Sequence, residues 1–322
     1  MRVAILLTLL SGILAMLCAD NIKVFDKAAL HFTPDDSTRY DSPGVKAEDY
    51  GRVLVTRTAL PGSVWSGKIF GNVQIESIAM DSMKVRDKWD RAGAIYMTVP
   101  GYPDLELIKF ITAYGGPTEH CVELSHLRPL LIEQVEFKAF VDTWASPGWH
   151  ISFDLEFIEE PNPLPSDWVL PLIYEEAVTA EYQPKPVHVD IPKGTMRVEL
   201  YYLVSGHCTD GTDADEFESK FNVVKVDGRE VLRYKPWRND CTKFRAINPY
   251  TRHWPDGTWS SDYSRSGWCP GDWVRPLVTD LRMDLTPGAH EMEFVVENVR
   301  PKDENGHHGY WRVSAYLVGW KD

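Results

Sequence analysis

Apolar residues recur at every second position through much of this chain. Ile95, Met97 and Val99 alternate with small or polar neighbours, as do Val135, Phe137, Ala139 and Val141, and then Ile151, Phe153, Leu155 and Phe157. A period of two puts one set of side chains on one face of a pleated strand, so these runs predict antiparallel strands with a single buried face. The pattern resumes at Met196, Val198, Leu200, Tyr202 and Val204, at Phe294 and Val296, and at Trp311, Val313, Ala315 and Leu317. Asp227 and Gly228, set between two apolar runs, predict a tight hairpin, because both residues tolerate the positive φ that such a turn requires. Helical periodicity is scarce.

Between the two groups of strands lies Glu159, Glu160, Pro161, Asn162, Pro163, Leu164, Pro165. Proline lacks the amide hydrogen of a sheet ladder and stiffens an extended chain, so this stretch marks a boundary between domains at 20–160 and 166–322. The simplest architecture is all-β, two antiparallel β-sandwiches in tandem. At 322 residues the chain is long enough for two cores.

Composition adds three constraints. The formal net charge of −13 argues against a nucleic-acid partner, which calls for a basic stripe. Arg2 followed by the apolar run 3–17, then Ala19 and Asp20, reads as a secretory signal over residues 1–19, too short to span a bilayer. The expected destination is outside the cytoplasm, with lipidation at Cys18 as the lesser alternative. Removal of that segment leaves Cys121, Cys208, Cys241 and Cys269, an even set that allows three pairings in an oxidising compartment. No Cys-x-x-Cys occurs, and His307 and His308 stand side by side on a turn, where adjacent rings rarely converge on one ion. No metal or cofactor is expected.

The chain holds 12 Trp and 14 Tyr, many of them in polar, Gly-rich surroundings. Most are expected in cores, but two runs stand apart. Arg265, Ser266, Gly267, Trp268, Cys269, Pro270 and Gly271 fix a cation, an indole and a cysteine in one Pro/Gly-bounded turn, which is expected to present side chains rather than fill a core. Trp89, Asp90 and Arg91 repeat the theme before an alternating strand. Indoles stack on the apolar faces of sugar rings, while carboxylates and guanidinium groups take hydroxyls and amides. Together the runs predict a carbohydrate-handling site built from distant parts of the chain.

With Asp142, Thr143, Trp144, then Ser205, Gly206, His207, then Asp215, Glu216, Phe217, these runs form five ordered anchors. In that order the chain resembles the secreted peptide-N-glycosidase F amidases. The likeness starts at Asn21 and reaches the last strand. It implies two antiparallel jelly rolls packed side by side with the active site in the groove between them. It implies hydrolysis of the amide joining asparagine to the first N-acetylglucosamine of an N-glycan, on peptides or glycoproteins, by a monomer. By the same resemblance Asp90 is the primary catalytic group, Glu216 the second carboxylate, and Arg265 a cationic partner to Glu216 or to the developing oxyanion. Trp89, Arg91, Asp142, Trp144, Gly206, His207 and Trp268 would bind substrate, though His207 could equally bond within its own loop. Cys241 and Cys269 match a family disulfide, while the pairing of Cys121 and Cys208 stays open. The family pattern has glutamate where this chain has Asp142, a carboxylate one methylene shorter. That departure keeps alive a non-catalytic glycan-binding protein on the same fold. A copper monooxygenase on a similar double sandwich fits less well, since the histidines are scattered.

Overall fold

A computed structural model describes residues 19–62, 67–80, 84–160, 165–209 and 213–321. The expected signal segment, apart from Ala19, lies outside the described residues, as do residues 161–164 of the proline-rich stretch. Among the described residues no helix is long and apolar enough to cross a membrane.

The chain folds into antiparallel sheets with short 3₁₀ turns. In the first half, Ala19–Leu30, Trp149–Glu159, Gly67–Ser77 and Thr118–Glu123 pair in that order into one sheet. The facing sheet runs Trp273–Val274, Leu105–Ile111, Ala92–Met97, Gln134–Val141, Val53–Ala59 and Lys46–Glu48. Its first strand comes from the second half of the chain, with Trp273 opposite Phe110 and Val274 opposite Lys109. In the second half, one sheet is Trp168–Val178, Gly309–Lys321, Thr195–Cys208 and Leu277–Asp280. The other is Val187–Ile191, Gly288–Val296, Asn222–Val226 and Arg229–Tyr234. The Asp227–Gly228 hairpin forms as expected, with φ of 50° and 77°.

Alternation is realised cleanly in Trp149–Glu159, where Trp149, Ile151, Phe153, Leu155 and Phe157 are all buried and the intervening residues are not. Each such side chain contributes about 1.5–3 kcal/mol by leaving water. The expectation of a single buried face fails at the centre of the molecule. Ala92–Met97 and Leu105–Ile111 are buried throughout, and Gly309–Lys321 nearly so. Sandwich interior covers one face of these strands and the opposite half of the molecule covers the other, so both side-chain sets lose water. The apolar cluster of the first half accordingly takes in Leu203, Tyr316 and Val318 from the second.

The seam is polar where it must be. Lys109, fully buried, donates to the carbonyls of Leu203 (3.3 Å) and Arg312 (3.1 Å) on the other side and pairs with Glu106 at 3.3 Å. Ser314 in turn donates to Glu106. A buried ammonium without such partners would be strongly destabilising.

Candidate active site

At one end of the seam a cavity of about 910 Å³ opens between the halves. Trp89, Asp90, Arg91, Asp142 and Trp144 line it from the first half; His207, Cys208, Glu216, Trp268 and Tyr310 line it from the second.

The first-half wall is organised by Asp87, a buried carboxylate. It accepts hydrogen bonds from the Trp89 amide (3.3 Å), Arg91 Nε (3.0 Å), Thr143 Oγ1 (2.6 Å) and the Trp149 indole (3.3 Å). Thr112 locks the same turn, its hydroxyl accepting from the Arg91 amide at 2.8 Å and donating to the Trp89 carbonyl at 3.0 Å. One buried charge thus ties the Trp89, Asp90, Arg91 turn to the Asp142, Thr143, Trp144 segment and both to the core. The arrangement leaves Trp89 and Trp144 outside, 53% and 59% exposed. Asp142 accepts from Arg52 at 3.3 Å, and the Arg52 guanidinium lies 4.7 Å over the Trp144 ring.

The second-half wall hangs on Arg265. The turn at 265–271 does not project outward as its composition suggests: Arg265, Ser266, Trp268 and Cys269 are all buried. Trp268 packs with Ala92, Ile111 and Val274 across the seam. Its indole donates to the Gly206 carbonyl at 2.8 Å, so its polar atom is committed inside the protein. The turn is held by an antiparallel bridge between Arg238 and Arg265 and by a disulfide joining Cys241 to Cys269. Cys121 and Cys208 are both thiols.

Arg265 itself is 1% exposed. Its Nε donates to Glu216 (3.1 Å), Nη1 to the Tyr263 carbonyl (2.9 Å), and Nη2 to Asp90 (3.4 Å), the Ser260 carbonyl (2.9 Å) and the Tyr114 hydroxyl (3.3 Å). Phe217 and Trp268 face its guanidinium at 5.1 and 4.8 Å. This one cation therefore gathers Asp90 and Glu216 from opposite halves and turns them to the cavity, where their side chains remain 13% and 15% exposed.

Burial raises both carboxyl groups. For Asp90 it outweighs the opposing charge of Arg265 and a hydrogen bond from Tyr114. Glu216 is pushed up to about 7 by burial, reinforced by the Asp90 charge and opposed by Arg265 and by a hydrogen bond from Cys208. Two carboxyl groups beside one guanidinium repel each other as anions, and Glu216 is therefore partly protonated near neutral pH. Tyr114, raised by burial and by Asp90, stays a phenol and a donor.

His207 does not reach outward as a ligand would. Its Nε2 pairs with Ser205 Oγ at 2.8 Å, and its ring lies between Trp268 and Tyr310, each 5.3 Å away. Burial, with the charges of Arg312, Lys109 and Arg265, keeps it well below the usual imidazole range and therefore neutral. Gly206 serves packing: a Cβ there would stand 2.5 Å from the Asp215 carbonyl and 2.8 Å from Ser266 Cβ. Asp87, Tyr114, Cys208 and Tyr310 went unnoticed as site residues in the sequence. Asp87 sits two residues before Trp89, but a carboxylate in a polar stretch gives no local sign of burial, and Tyr114 is one tyrosine among many. Among the described residues no three His, Cys, Asp or Glu side chains cluster as a metal site would.

The sequence model described as Peptide-N-glycosidase F, C terminal, matches residues 174–318, the half that supplies Glu216 and Arg265. The second half of the chain is thus similar to the peptide-N-glycosidase F family. The peptide-N(4)-(N-acetyl-beta-D-glucosaminyl)asparagine amidase F of Elizabethkingia miricola is 21% identical over 255 residues, 73% of this chain and 70% of that protein. PNGase F of Flavobacterium meningosepticum superimposes with a TM-score of 0.73 at 19% identity, covering 94% of this chain and 96% of that one. PNGF-II gives 0.82 at 22% identity over 94% of this chain, which spans 66% of its length. At these identities the structural likenesses establish the fold alone, two jelly-roll β-sandwiches.

Proposed function

We propose that this protein hydrolyses the amide joining an asparagine side chain to the first N-acetylglucosamine of an N-glycan. Aspartate would remain in the peptide and the glycan would leave as a glycosylamine. The observation that carries the reading is Arg265 bound at once to Asp90 and Glu216 at the floor of a cavity rimmed by Trp89 and Trp144. N-glycan amidase activity at the level of the family supports it.

Amide hydrolysis needs an activated water, a stabilised oxyanion and a proton for the departing nitrogen. In this reading ionised Asp90 orients water and takes its proton as the oxygen adds to the carboxamide carbon. The C–N bond then breaks, and the nitrogen leaves with a proton supplied by the carboxyl pair. Glu216, titrating at about 7, is suited to hold that proton at neutral pH. Arg265 holds Glu216 through Nε and Asp90 through Nη2, so it acts as a positioning residue that sets the two carboxyl groups. Trp89 and Trp144 offer exposed ring faces to the sugar, with Arg91 and Asp142 as polar partners. The reading includes export through the N-terminal segment, action as a monomer, and a division of the chain at its proline-rich stretch.

The test is mass spectrometry of a defined N-glycopeptide incubated with the protein in heavy-oxygen water. Labelled aspartate at the linkage position is expected with the wild type and at least 100-fold less with Asp90→Asn, the scale seen when one reacting or oxyanion-holding group is lost. Intact glycopeptide that stays bound to the wild type would establish the binding-only alternative instead.

A further inference from the structure

A second cavity, of about 550 Å³, opens on the seam beside the strand Trp273–Val274, and among the described residues it shares none of its lining with the active-site cavity. Its volume is that of a small-molecule site. Tyr201, Trp273, Tyr316 and Trp320 line it from the second half, and the first half supplies Lys68, Glu123 and Glu160 at its rim.

The rings are held in place. Tyr201 and Tyr316 stack with centres 5.1 Å apart, and His126 lies parallel to both, its Nε2 paired with the Tyr316 hydroxyl at 3.0 Å. The two indoles already attract cations: Arg197 lies 4.5 Å over Trp320 and Arg275 4.9 Å over Trp273. Both guanidinium groups are spoken for, since Arg197 pairs with Glu199 and Arg275 with Asp272 at 2.7 Å.

The charges at the rim do not balance. Lys68 pairs with Glu160 at 3.6 Å, whereas Glu123 accepts only the Ser125 hydroxyl, at 3.0 Å, and among the described residues pairs with no cation. His126 adds no compensating charge, because burial lowers it to about 4. Glu123 also faces the rings: the Tyr201 phenol is raised by burial and then by the charges of Glu199 and Glu123. An anion would be repelled here, and a neutral apolar molecule would leave Glu123 without a counterion. A small inorganic cation keeps its water and gains little from aromatic faces. A cation whose charge is spread over methyl groups satisfies both the rings and the carboxylate.

We propose that this cavity binds a small organic ammonium ion, its methylated head among Tyr201, Trp273, Tyr316 and Trp320 and its charge balanced by Glu123. The inference does not depend on the amidase reading of the main cavity.

Calorimetric titration at constant ionic strength with choline chloride, and with dimethylbutanol, the neutral isostere in which carbon replaces the ammonium nitrogen, separates charge from bulk. Choline is expected to bind about 3- to 30-fold more tightly than the isostere, the size of a desolvated contact between a cation and aromatic rings. Trp320→Leu should remove most of that preference. Glu123→Gln, which keeps an acceptor for Ser125 and lies at an exposed position, should weaken choline about 2- to 5-fold and leave the isostere unchanged. Equal affinity for the two molecules, or no binding of choline, overturns the proposal. So does choline binding that survives both substitutions, or that is lost in Trp89→Ala, which would place the cation in the active-site cavity. Sedimentation with phosphatidylcholine vesicles separates the sources of such a head group. Co-sedimentation that Glu123→Gln abolishes upholds the site and assigns it to a membrane lipid; choline binding without co-sedimentation upholds it and assigns it to a soluble molecule.

Discussion

Cys208 donates its thiol hydrogen to Glu216 at 3.3 Å, opposite the oxygen that Arg265 holds. A donor to the ionised form lowers a carboxyl pKa, so removing it should raise that of Glu216. Cys208→Ala is therefore expected to move the limb of the pH-rate profile assigned to the carboxyl pair upward by roughly half a unit, a modest shift because thiols are weak donors. Cys208→Ser should restore it. A Cys208→Ala profile superimposable on the wild type would show that the contact does not tune the pair. At this scale the sequence was legible in part. Trp89, Asp90, Arg91, Asp142, Trp144, Glu216 and Arg265 could be picked out because their types and order match a known pattern. Asp87, Tyr114 and Cys208 could not, since what makes them matter is burial beside partners from 56 to 151 residues away or across a turn, which no local spacing encodes.

Among the elements, the strand Thr195–Cys208 places His207 and Cys208 and is crossed tightly by the turns that carry Glu216 and Arg265. The Gly206 amide donates to the Ser266 carbonyl at 3.0 Å, and the Ser266 amide to the Glu216 carbonyl at 2.8 Å. Any side chain at 206 must push this stack apart. Gly206→Ala is expected to reduce turnover on a glycopeptide by at least tenfold with a smaller change in melting temperature, because the displaced atoms belong to the site rather than the main core. Equal activity with a crystal structure showing the turns unmoved would count against this account. The strands themselves were readable from alternation wherever one face meets a core, as in Trp149–Glu159. The same reading passed over Leu105–Ile111, because a strand covered on both faces carries no period to read. It also misplaced the turn at 265–271: Gly and Pro report the bend of a backbone, not what later packs over it.

For the molecule as a whole, the seam makes stability sensitive to acid. His126 lies flat on Tyr201 at 4.3 Å and pairs with the Tyr316 hydroxyl at 3.0 Å, joining the halves, and burial lowers it to about 4; His120 is lowered to a similar value. A histidine depressed in the fold binds its proton more readily when unfolded. Its contribution is therefore present above pH 6.5 and is lost as pH falls toward 4, on the order of 2–3 kcal/mol for each such group. Glu216, raised in the fold, works in the opposite direction between 4.5 and 7 and offsets one of the two. The melting temperature is expected to fall between pH 7 and 4.5, and His126→Gln should flatten that fall. An unaltered slope in the variant would move the acid sensitivity elsewhere. The short strand Trp273–Val274 carries a consequence of another kind. By supplying the outermost rung of a sheet that otherwise belongs to the first half, it makes the two sandwiches interlocked rather than merely adjacent. Cutting the chain at its proline-rich stretch would strip Leu105–Ile111 of its neighbour and bare a sticky edge, so neither half is a portable module that could be grafted onto another protein alone.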